Sequence, residues 1–204
     1  AQLPQILSGF GISSFLFMRG MPEALRDAGG AFFTWRAPAG HEVRAVYLRE
    51  GYFPLGALGQ ESFHGRYDDL AADPSLAGKR LTDTLARLEP VQNESVFVLP
   101  AGGDHLPARA DLAEVVENLN RTQDHVELRF GSFENFLSAL PKTAFAHHVH
   151  EGDLLGQADH PLLRNVLSSR VDLKILNHNV QTTLTGIVEP LLAWAKMTGL
   201  PVVH

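Results

Sequence analysis

The first part of the chain consists of short apolar stretches separated by glycine, proline and polar residues. The apolar run 12–18 is closed by an Arg-Gly pair, which predicts a strand. Residues 31–36 and 42–48 have an extended character and flank a tight Pro-Ala-Gly turn, so they predict a β-hairpin. Residues 3–8, with a proline in the first turn, predict a short helix.

Between residues 73 and 149 the pattern alternates between helical spacing and short apolar segments. The predicted helices cover residues 73–89, 109–120 and 132–140, and the predicted extended segments cover residues 95–99, 126–130 and 143–149. Alternation of this kind is typical of parallel βα units with right-handed crossovers. The first 150 residues therefore predict an α/β layer or barrel.

The last part of the chain has a different pattern. Apolar residues recur at helical spacing from residue 166 to residue 198, which predicts an amphipathic helix too long for an α/β crossover. Pro190 should kink or split this helix. Because one helix cannot bury its own apolar stripe, we expect partner helices beyond His204. Ala1 is not an initiator methionine, and we expect the chain to be part of a larger protein.

The composition of the chain argues against several classes of partner and site. The chain has 204 residues, 45% of them hydrophobic, which is enough for a substantial core. A net charge of -6 with scattered basic residues argues against nucleic acid as a partner. No apolar run is long enough to predict a membrane span. The absence of cysteine excludes disulfides and thiolate metal sites and fits a cytoplasmic location, while the oligomeric state, including a homo-oligomer, is left open.

The segment from Ser95 to His105 carries the clearest chemical signal. Residues 95–99 predict a strand buried on both faces, and the following Pro-Ala-Gly-Gly sequence ends it in a turn. Asp104 and His105 therefore follow the carboxyl end of a strand, where polar groups of α/β enzymes converge. The alternative is that Asp104 caps the next helix and that His105 is solvated.

Eight segments together resemble glycoside hydrolase family 38, which contains α-mannosidases and mannosylglycerate hydrolases. They are Ala-Gln-Leu-Pro-Gln-Ile-Leu (1–7), Phe-Leu-Phe-Met-Arg (15–19), Phe-Thr-Trp (33–35), Gly-Gly-Asp-His (102–105), residues 127–137 with their Gly-Ser-Phe, Gly-Asp-Leu (152–154), Leu-Ser-Ser-Arg (167–170) and Glu-Pro-Leu (189–191). The resemblance covers nearly the whole chain, and it depends on the order and spacing of these segments.

The resemblance implies a retaining α-mannosidase that acts on α-mannosides. Residues 1–150 would form the C-terminal part of an irregular (β/α) barrel catalytic domain, and residues 151–204 would form a linker and the first helices of a helical-bundle middle domain. Asp104 would be the general acid and base, paired with an aspartate nucleophile. Zinc is expected in the complete enzyme, but the zinc ligands and the nucleophile of the family are absent from this chain. The isolated chain should therefore bind no zinc and show no turnover.

Four residues are candidates for contact with the substrate, and the resemblance supports Arg19 and Asp153 among them. Arg19, Tyr52, His105 and Asp153 are the candidates, with surface ion pairing, loop packing, solvation and helix capping as their respective alternatives. The sequence His147-His148-x-His150 invites a metal hypothesis, but a strand would place only the second and third of these histidines on one face. No acid completes a tetrahedral ligand set, so we assign no metal ligand.

Two other functions compete with this interpretation. A catalytically silent homologue would use Asp104 and Asp153 only to bind carbohydrate. A metal-dependent deacetylase on a related barrel would need a cluster of histidines and carboxylates that the chain does not contain.

Overall fold

The computed structural model describes residues 1–56, 58, 73–92, 94–103, 109–164 and 169–201. Contacts divide the chain into two compact units, residues 1–162 and residues 163–204. The domain boundary expected between residues 150 and 151 falls inside the first of these units.

The first unit contains most of the regular structure. In chain order its elements are α1 (Leu3–Gly9), β1 (Ser14–Phe17), α2 (Glu23–Asp27), β2 (Phe32–Arg36), β3 (Glu42–Tyr47), α3 (Pro74–Leu88), α4 (Leu112–Thr122), α5 (Phe133–Ala139), a 3-10 turn (Lys142–Phe145) and β4 (Val149–Glu151). The second unit contains α6 (Val171–Thr183), a π-helical stretch (Leu184–Val188) and α7 (Glu189–Met197).

The four strands form one mixed sheet in the order β1-β3-β2-β4. β1 pairs with β3 in parallel, β2 and β3 form the predicted antiparallel hairpin, and β4 pairs with β2 in parallel. The expectation of an α/β fold is confirmed at this level. The sheet is mixed because the hairpin, which the sequence predicted, reverses the chain between neighbouring strands.

Alternate side chains of the strands cover the two faces of the sheet. On β2, Phe32 packs with α5 residues such as Phe136 on one face, and Phe33 and Trp35 pack on the other face. Phe33 is fully buried, and burial of an aromatic side chain of this size stabilises the fold by about 1.5–3 kcal/mol. A third apolar cluster, which includes Leu81, lies between α3 and α4.

Two predicted strands are not strands in the structure. Residues 95–99 and 126–130 do not belong to the sheet, because no described strand pairs with them. In the first segment, side chains nevertheless alternate as they would in a strand: Val96 and Val98 contact the cluster around Phe32, whereas Phe97 and Leu99 contact the cluster between α3 and α4. The hydrophobic pattern was thus assigned to the correct faces but to the wrong backbone structure.

The segment predicted as extended over residues 143–149 also differs. Its first part is the 3-10 turn Lys142–Phe145, and only its last residue belongs to β4. Pro141 has a backbone φ of -64° and ψ of 144°, and it directly precedes this turn. The two buried residues of the turn, Ala144 and Phe145, pack against the sheet, so local burial favours a compact turn over an extended strand.

Helix starts agree with local capping signals. Asp73 accepts hydrogen bonds from the backbone of Ser75 at 2.8 Å and of Leu76 at 3.4 Å, and Pro74 opens α3. The Ser75 hydroxyl and these backbone groups lower the pKa of Asp73 below its usual value. Ser132 and Asn135 form a reciprocal capping box at the start of α5.

The second unit is a helix with one irregularity. The helix predicted from residue 166 is described from Val171 onwards, and it continues to Met197 through the π-helical stretch. Pro190 lies in the first turn of α7, directly after this stretch. A proline removes a backbone donor and collides with the preceding turn, and a local π-helical stretch is one way for a helix to accommodate such a defect. In the described part of the chain, no helix has the length and apolar character needed to cross a membrane.

Candidate functional site

The carboxyl ends of β1 and β3 lie at the same edge of the sheet because the two strands are parallel. Three segments meet there: residues 18–21 after β1, residues 48–53 after β3, and residues 158–161. We call these three segments the β1/β3 rim. The amide of Ala158 donates to the Met21 carbonyl at 3.3 Å, and the Arg19 guanidinium lies 3.5 Å from the Pro161 carbonyl.

The rim is held together by close backbone contacts. The Gly156 amide donates to the Gly20 carbonyl at 2.8 Å. A Cβ atom on Gly156 would lie 1.8 Å from the Met21 carbonyl oxygen, and one on Gly20 would lie 2.2 Å from the Leu154 carbonyl oxygen. Both positions therefore require glycine, and the φ of +97° at Gly20 adds a conformational reason.

Asp159 is the centre of a polar network at the rim. The buried Tyr47 hydroxyl donates to Asp159 Oδ2 at 2.9 Å, and Arg26 Nη1 lies 3.4 Å from Asp159 Oδ1. Arg49 Nε lies 3.9 Å from Asp159 Oδ2. Asp159 has a φ of +52°, a left-handed conformation that is uncommon for a residue other than glycine. Tertiary contacts from three separate elements thus hold this carboxylate in a strained conformation.

The same network affects the ionisation of Tyr47. Burial raises the pKa of the Tyr47 hydroxyl far above its usual value, because the phenolate would lose its hydration. The hydrogen bond to Asp159 and the negative charge of that carboxylate raise this pKa further. Tyr47 is therefore a neutral hydrogen-bond donor at physiological pH.

Arg19 and Tyr52, two of the predicted substrate contacts, both belong to the rim. The side chain of Arg19 is exposed, and Tyr52 is 41% exposed with its ring against Phe53. The Leu55 amide donates to the Pro100 carbonyl at 3.1 Å, so the described segment 94–103 lies beside the loop that carries Tyr52. Asp104 and His105 themselves lie outside the described residues.

Asp153 lies next to a residue that contacts the rim, because the neighbouring Leu154 carbonyl approaches Gly20 closely. It follows β4, which runs antiparallel to β3. Its Oδ1 atom is 3.6 Å from the Ala1 backbone nitrogen, and its side chain is exposed. The neighbouring Gly152 carbonyl accepts a hydrogen bond from Trp35 Nε1 at 2.9 Å. Sugar binding by Asp153 stays a prediction.

The histidines near β4 do not form a metal centre with their described neighbours. His147 and His148 line a cavity of about 290 Å³ together with Glu94. His150 Nε2 is buried and has no hydrogen-bond partner among the described residues, and the His150 ring stands edge-on to Phe33 at 6.0 Å. Across the described residues, no group of three or more histidine, aspartate or glutamate side chains has an arrangement that could hold a metal ion.

A second cavity, of about 500 Å³, lies between the loop after β3 and helix α3. Its charged lining residues are largely engaged with one another, since Lys79 pairs with Asp83 and Arg87 pairs with Glu50. Such exposed pairs contribute little to stability, and they leave few free groups for a ligand.

Three residues of the polar network at the rim were not singled out from the sequence: Arg26, Arg49 and Asp159. Arg49 could have been found by the rule that identified Arg19, because both arginines follow a predicted strand by one or two residues. Asp159 precedes His160 and Pro161 in an irregular segment, and no local pattern distinguishes it from an ordinary turn residue.

Comparison with known proteins gives three findings. The model of the family described as "Glycosyl hydrolases family 38 N-terminal domain" matches residues 1–160. A protein of Halalkalibacterium halodurans named "Putative mannosylglycerate hydrolase" is 24% identical over 203 residues, which include 93% of this chain. The chain spans about a fifth of the length of that relative, at 21%.

The third finding concerns the fold. The crystal structure of an alpha-mannosidase from Enterococcus faecalis V583 matches with a TM-score of 0.60 and 17% sequence identity. The match covers 76% of this chain and 17% of that chain. At this level of identity the likeness shows a shared fold.

Proposed function

This chain belongs to glycosyl hydrolase family 38, and from that premise we propose that it contributes to a retaining α-mannosidase. The observation that carries the proposal is the family match across residues 1–160, which contains the Gly-Gly-Asp-His segment and all of the β1/β3 rim except Pro161. The shared fold with an alpha-mannosidase and the similarity to a relative named for mannosylglycerate hydrolysis support the same class of substrate.

In the proposed reaction Asp104 acts as the general acid and base. It donates a proton to the glycosidic oxygen while an aspartate nucleophile attacks the anomeric carbon from the opposite side. The carboxylate of Asp104 then removes a proton from the water molecule that releases the sugar. In retaining enzymes the two carboxyl groups are about 5–5.5 Å apart.

The rim supplies the groups that would orient the sugar. Arg19 offers guanidinium donors at the carboxyl end of β1, and Tyr52 offers a hydroxyl group and an exposed ring in the loop after β3. Hydrogen bonds from such groups to sugar hydroxyls position the anomeric carbon, and an aromatic ring can pack against the apolar face of a pyranose. His105 is proposed as a further substrate contact next to the acid.

Zinc is the cofactor that family membership implies. The described residues contain no group of side chains able to hold it, so this part of the chain does not fit a zinc site. No step of the proposed reaction is derived through a metal ion.

The test compares Asp104→Asn with the wild type in the complete gene product. General acid–base catalysis contributes about 10²–10⁴-fold to rate, so kcat should fall by that factor with an alkyl α-mannoside. The loss should be smaller with a nitrophenyl α-mannoside, whose leaving group needs less protonation. The exposed Asp124→Asn is the matched control and should leave both rates unchanged.

Two outcomes would contradict the proposal. Equal rates for Asp104→Asn and the wild type would show that Asp104 is not the general acid and base. Binding of mannosides without hydrolysis by the wild type, together with weaker binding by Asp104→Asn, would favour the catalytically silent carbohydrate-binding homologue. Detection of the first-formed anomer by NMR decides between retention and inversion.

A further inference from the structure

We propose that Arg49 is a specificity-determining residue that binds the carboxylate of an acidic aglycone, and that Asp159 positions its guanidinium. The inference deepens the proposed function and rests on it, since it concerns the non-sugar half of an α-mannoside. It arises from an arginine of the β1/β3 rim whose donors are not used by the described residues.

The backbone of Arg49 is fixed at the rim. Arg49 lies two residues beyond β3, and its carbonyl is 2.7 Å from His160 Nε2. A Cβ atom on Gly51 would lie 3.4 Å from the His160 ring and 3.5 Å from the Met18 side chain. Arg49 therefore lies in the loop that carries Tyr52, and its backbone is held against residues 158–161 of the rim.

The Arg49 guanidinium lies near Asp159, but the described residues do not use all of its N–H donors. It is 32% exposed, and its contact with Asp159 at 3.9 Å is too long for a hydrogen bond. No other acidic partner of Arg49 occurs among the described residues. A guanidinium has five N–H donors in a planar fork, and this geometry matches the two oxygens of a carboxylate. Among the described residues, Arg49 therefore has no close ion pair that a carboxylate would first have to break.

Two charged groups near Arg49 in the structure or the sequence are more fully engaged. Arg26 pairs with Asp27 at 2.8 Å and contacts Asp159 at 3.4 Å. Glu50, the neighbour of Arg49 in sequence, pairs with Arg87 at 2.8 Å. Of the described acids Asp159 and Glu50, neither thus forms a close ion pair with Arg49.

Asp159 orients the Arg49 guanidinium but does not form a close ion pair with it. Tyr47 donates to the same Oδ2 atom that faces Arg49, at 2.9 Å, and Arg26 holds the other oxygen. This carboxylate therefore has a fixed orientation, and it attracts the Arg49 guanidinium without forming a close hydrogen bond with it. Such an arrangement preorganises a cation for an incoming anion and reduces the entropy lost on binding.

The ligand chemistry follows from this geometry. A carboxylate on a short hydroxy acid, of the kind present in glycerate, would accept two parallel hydrogen bonds from Arg49. The name of the relative from Halalkalibacterium halodurans contains this acid. A neutral aglycone of the same size would leave the donors of Arg49 to water, so Arg49 would discriminate between the two substrates.

The experiment uses the complete gene product and two substrates with the same sugar, α-mannosylglycerate and α-mannosylglycerol. Glycerol replaces the carboxylate of glycerate by a neutral alcohol. Arg49→Gln should lower kcat/KM for α-mannosylglycerate by about 10- to 100-fold, as expected for loss of a charge-assisted bidentate contact, and should change kcat/KM for α-mannosylglycerol by less than about 3-fold. The exposed Arg129→Gln is the matched control, because Arg129 pairs with Glu127 outside the rim.

The positioning role of Asp159 is tested separately, through the KM and kcat of Asp159 variants. Asp159→Asn should raise KM for α-mannosylglycerate while kcat for α-mannosylglycerol stays near the wild-type value. Asp159→Glu keeps the charge and should restore part of the lost affinity. Thermal unfolding of each variant shows whether the fold is retained, and Arg49→Lys, which keeps the positive charge, replaces Arg49→Gln if the latter does not fold.

The inference and the proposed function fail in different ways. Equal losses on both substrates, or no loss on either, would overturn the role of Arg49 while α-mannosidase activity stands. If the wild type hydrolyses neither substrate, the proposed function fails, and calorimetric titration with glycerate decides the inference alone. Glycerate binding by the wild type that is lost in Arg49→Gln supports the anion site, whereas equal binding or no binding overturns it.

Discussion

Many large apolar side chains are buried in the sheet unit (residues 1–162), whereas those of the terminal helix (residues 171–197) are exposed. In the first unit Phe33, Tyr47 and Leu81 are at most 1% exposed. From Val171 to Met197 no described residue is buried, and Trp194 is 65% exposed. Tertiary burial therefore accounts for the stability of the sheet unit, whereas within its own unit the helix is held by backbone hydrogen bonds and local propensity.

The largest expected contrast between these regions is in side-chain truncation. In the 204-residue chain, Phe33→Ala should lower the free energy of unfolding by about 3–5 kcal/mol, because it leaves a cavity in a fully buried cluster. Trp194→Ala should change it by less than about 0.5 kcal/mol. Urea denaturation followed by circular dichroism measures both values. A cost above about 2 kcal/mol for Trp194→Ala would show that another surface covers this helix.

The next contrast concerns glycine. Gly156→Ala places a methyl group against the Met21 carbonyl and should destabilise the sheet unit by about 2–3 kcal/mol through backbone displacement. Gly186→Ala is the matched variant, since nothing lies within 4 Å of its added Cβ atom. Alanine favours helix over glycine by about 1 kcal/mol, so this variant should be slightly stabilised. Similar melting temperatures for the two variants would disprove the close approach at Gly156.

The smallest expected effect is the pH dependence contributed by Tyr47. Its pKa is raised in the folded protein, so its stabilising contribution is complete below the unfolded value of about 10 and is lost at higher pH. Tyr47→Phe should cost about 1 kcal/mol at pH 7 and should flatten the decline in stability above pH 10. Denaturant titrations from pH 7 to 11 measure this decline, with Tyr52→Phe as the exposed control. An unchanged alkaline decline in Tyr47→Phe would contradict the assignment.

Elements with complete local signals were predicted well from the sequence. Asp73 and Pro74 mark the start of α3, Ser132 marks the start of α5, and the Pro-Ala-Gly turn joins β2 to β3. Each signal depends on neighbouring residues alone, through a cap or a turn conformation. The boundaries of these elements consequently differ from the predictions by only a few residues.

Elements and site residues that depend on distant partners were predicted less well. Residues 95–99 alternate between two clusters as a strand would, but strand assignment also requires a paired backbone. Asp159 acquires its role only when β3 and α2 bring Tyr47, Arg49 and Arg26 to it. Membership in the family was confirmed over residues 1–160, whereas the roles of Asp104, Arg19 and Tyr52 stay predictions.

The sheet has short outer strands, and this feature affects self-association. β1 has four residues and β4 has three, and they are the outer strands of the described sheet. An outer strand can template addition of a strand from another molecule, and long, flat outer strands carry the greatest risk of aggregation. Brief outer strands offer an incoming chain few backbone groups for pairing. The short edge strands thereby disfavour fibril-like association of this sheet with other molecules.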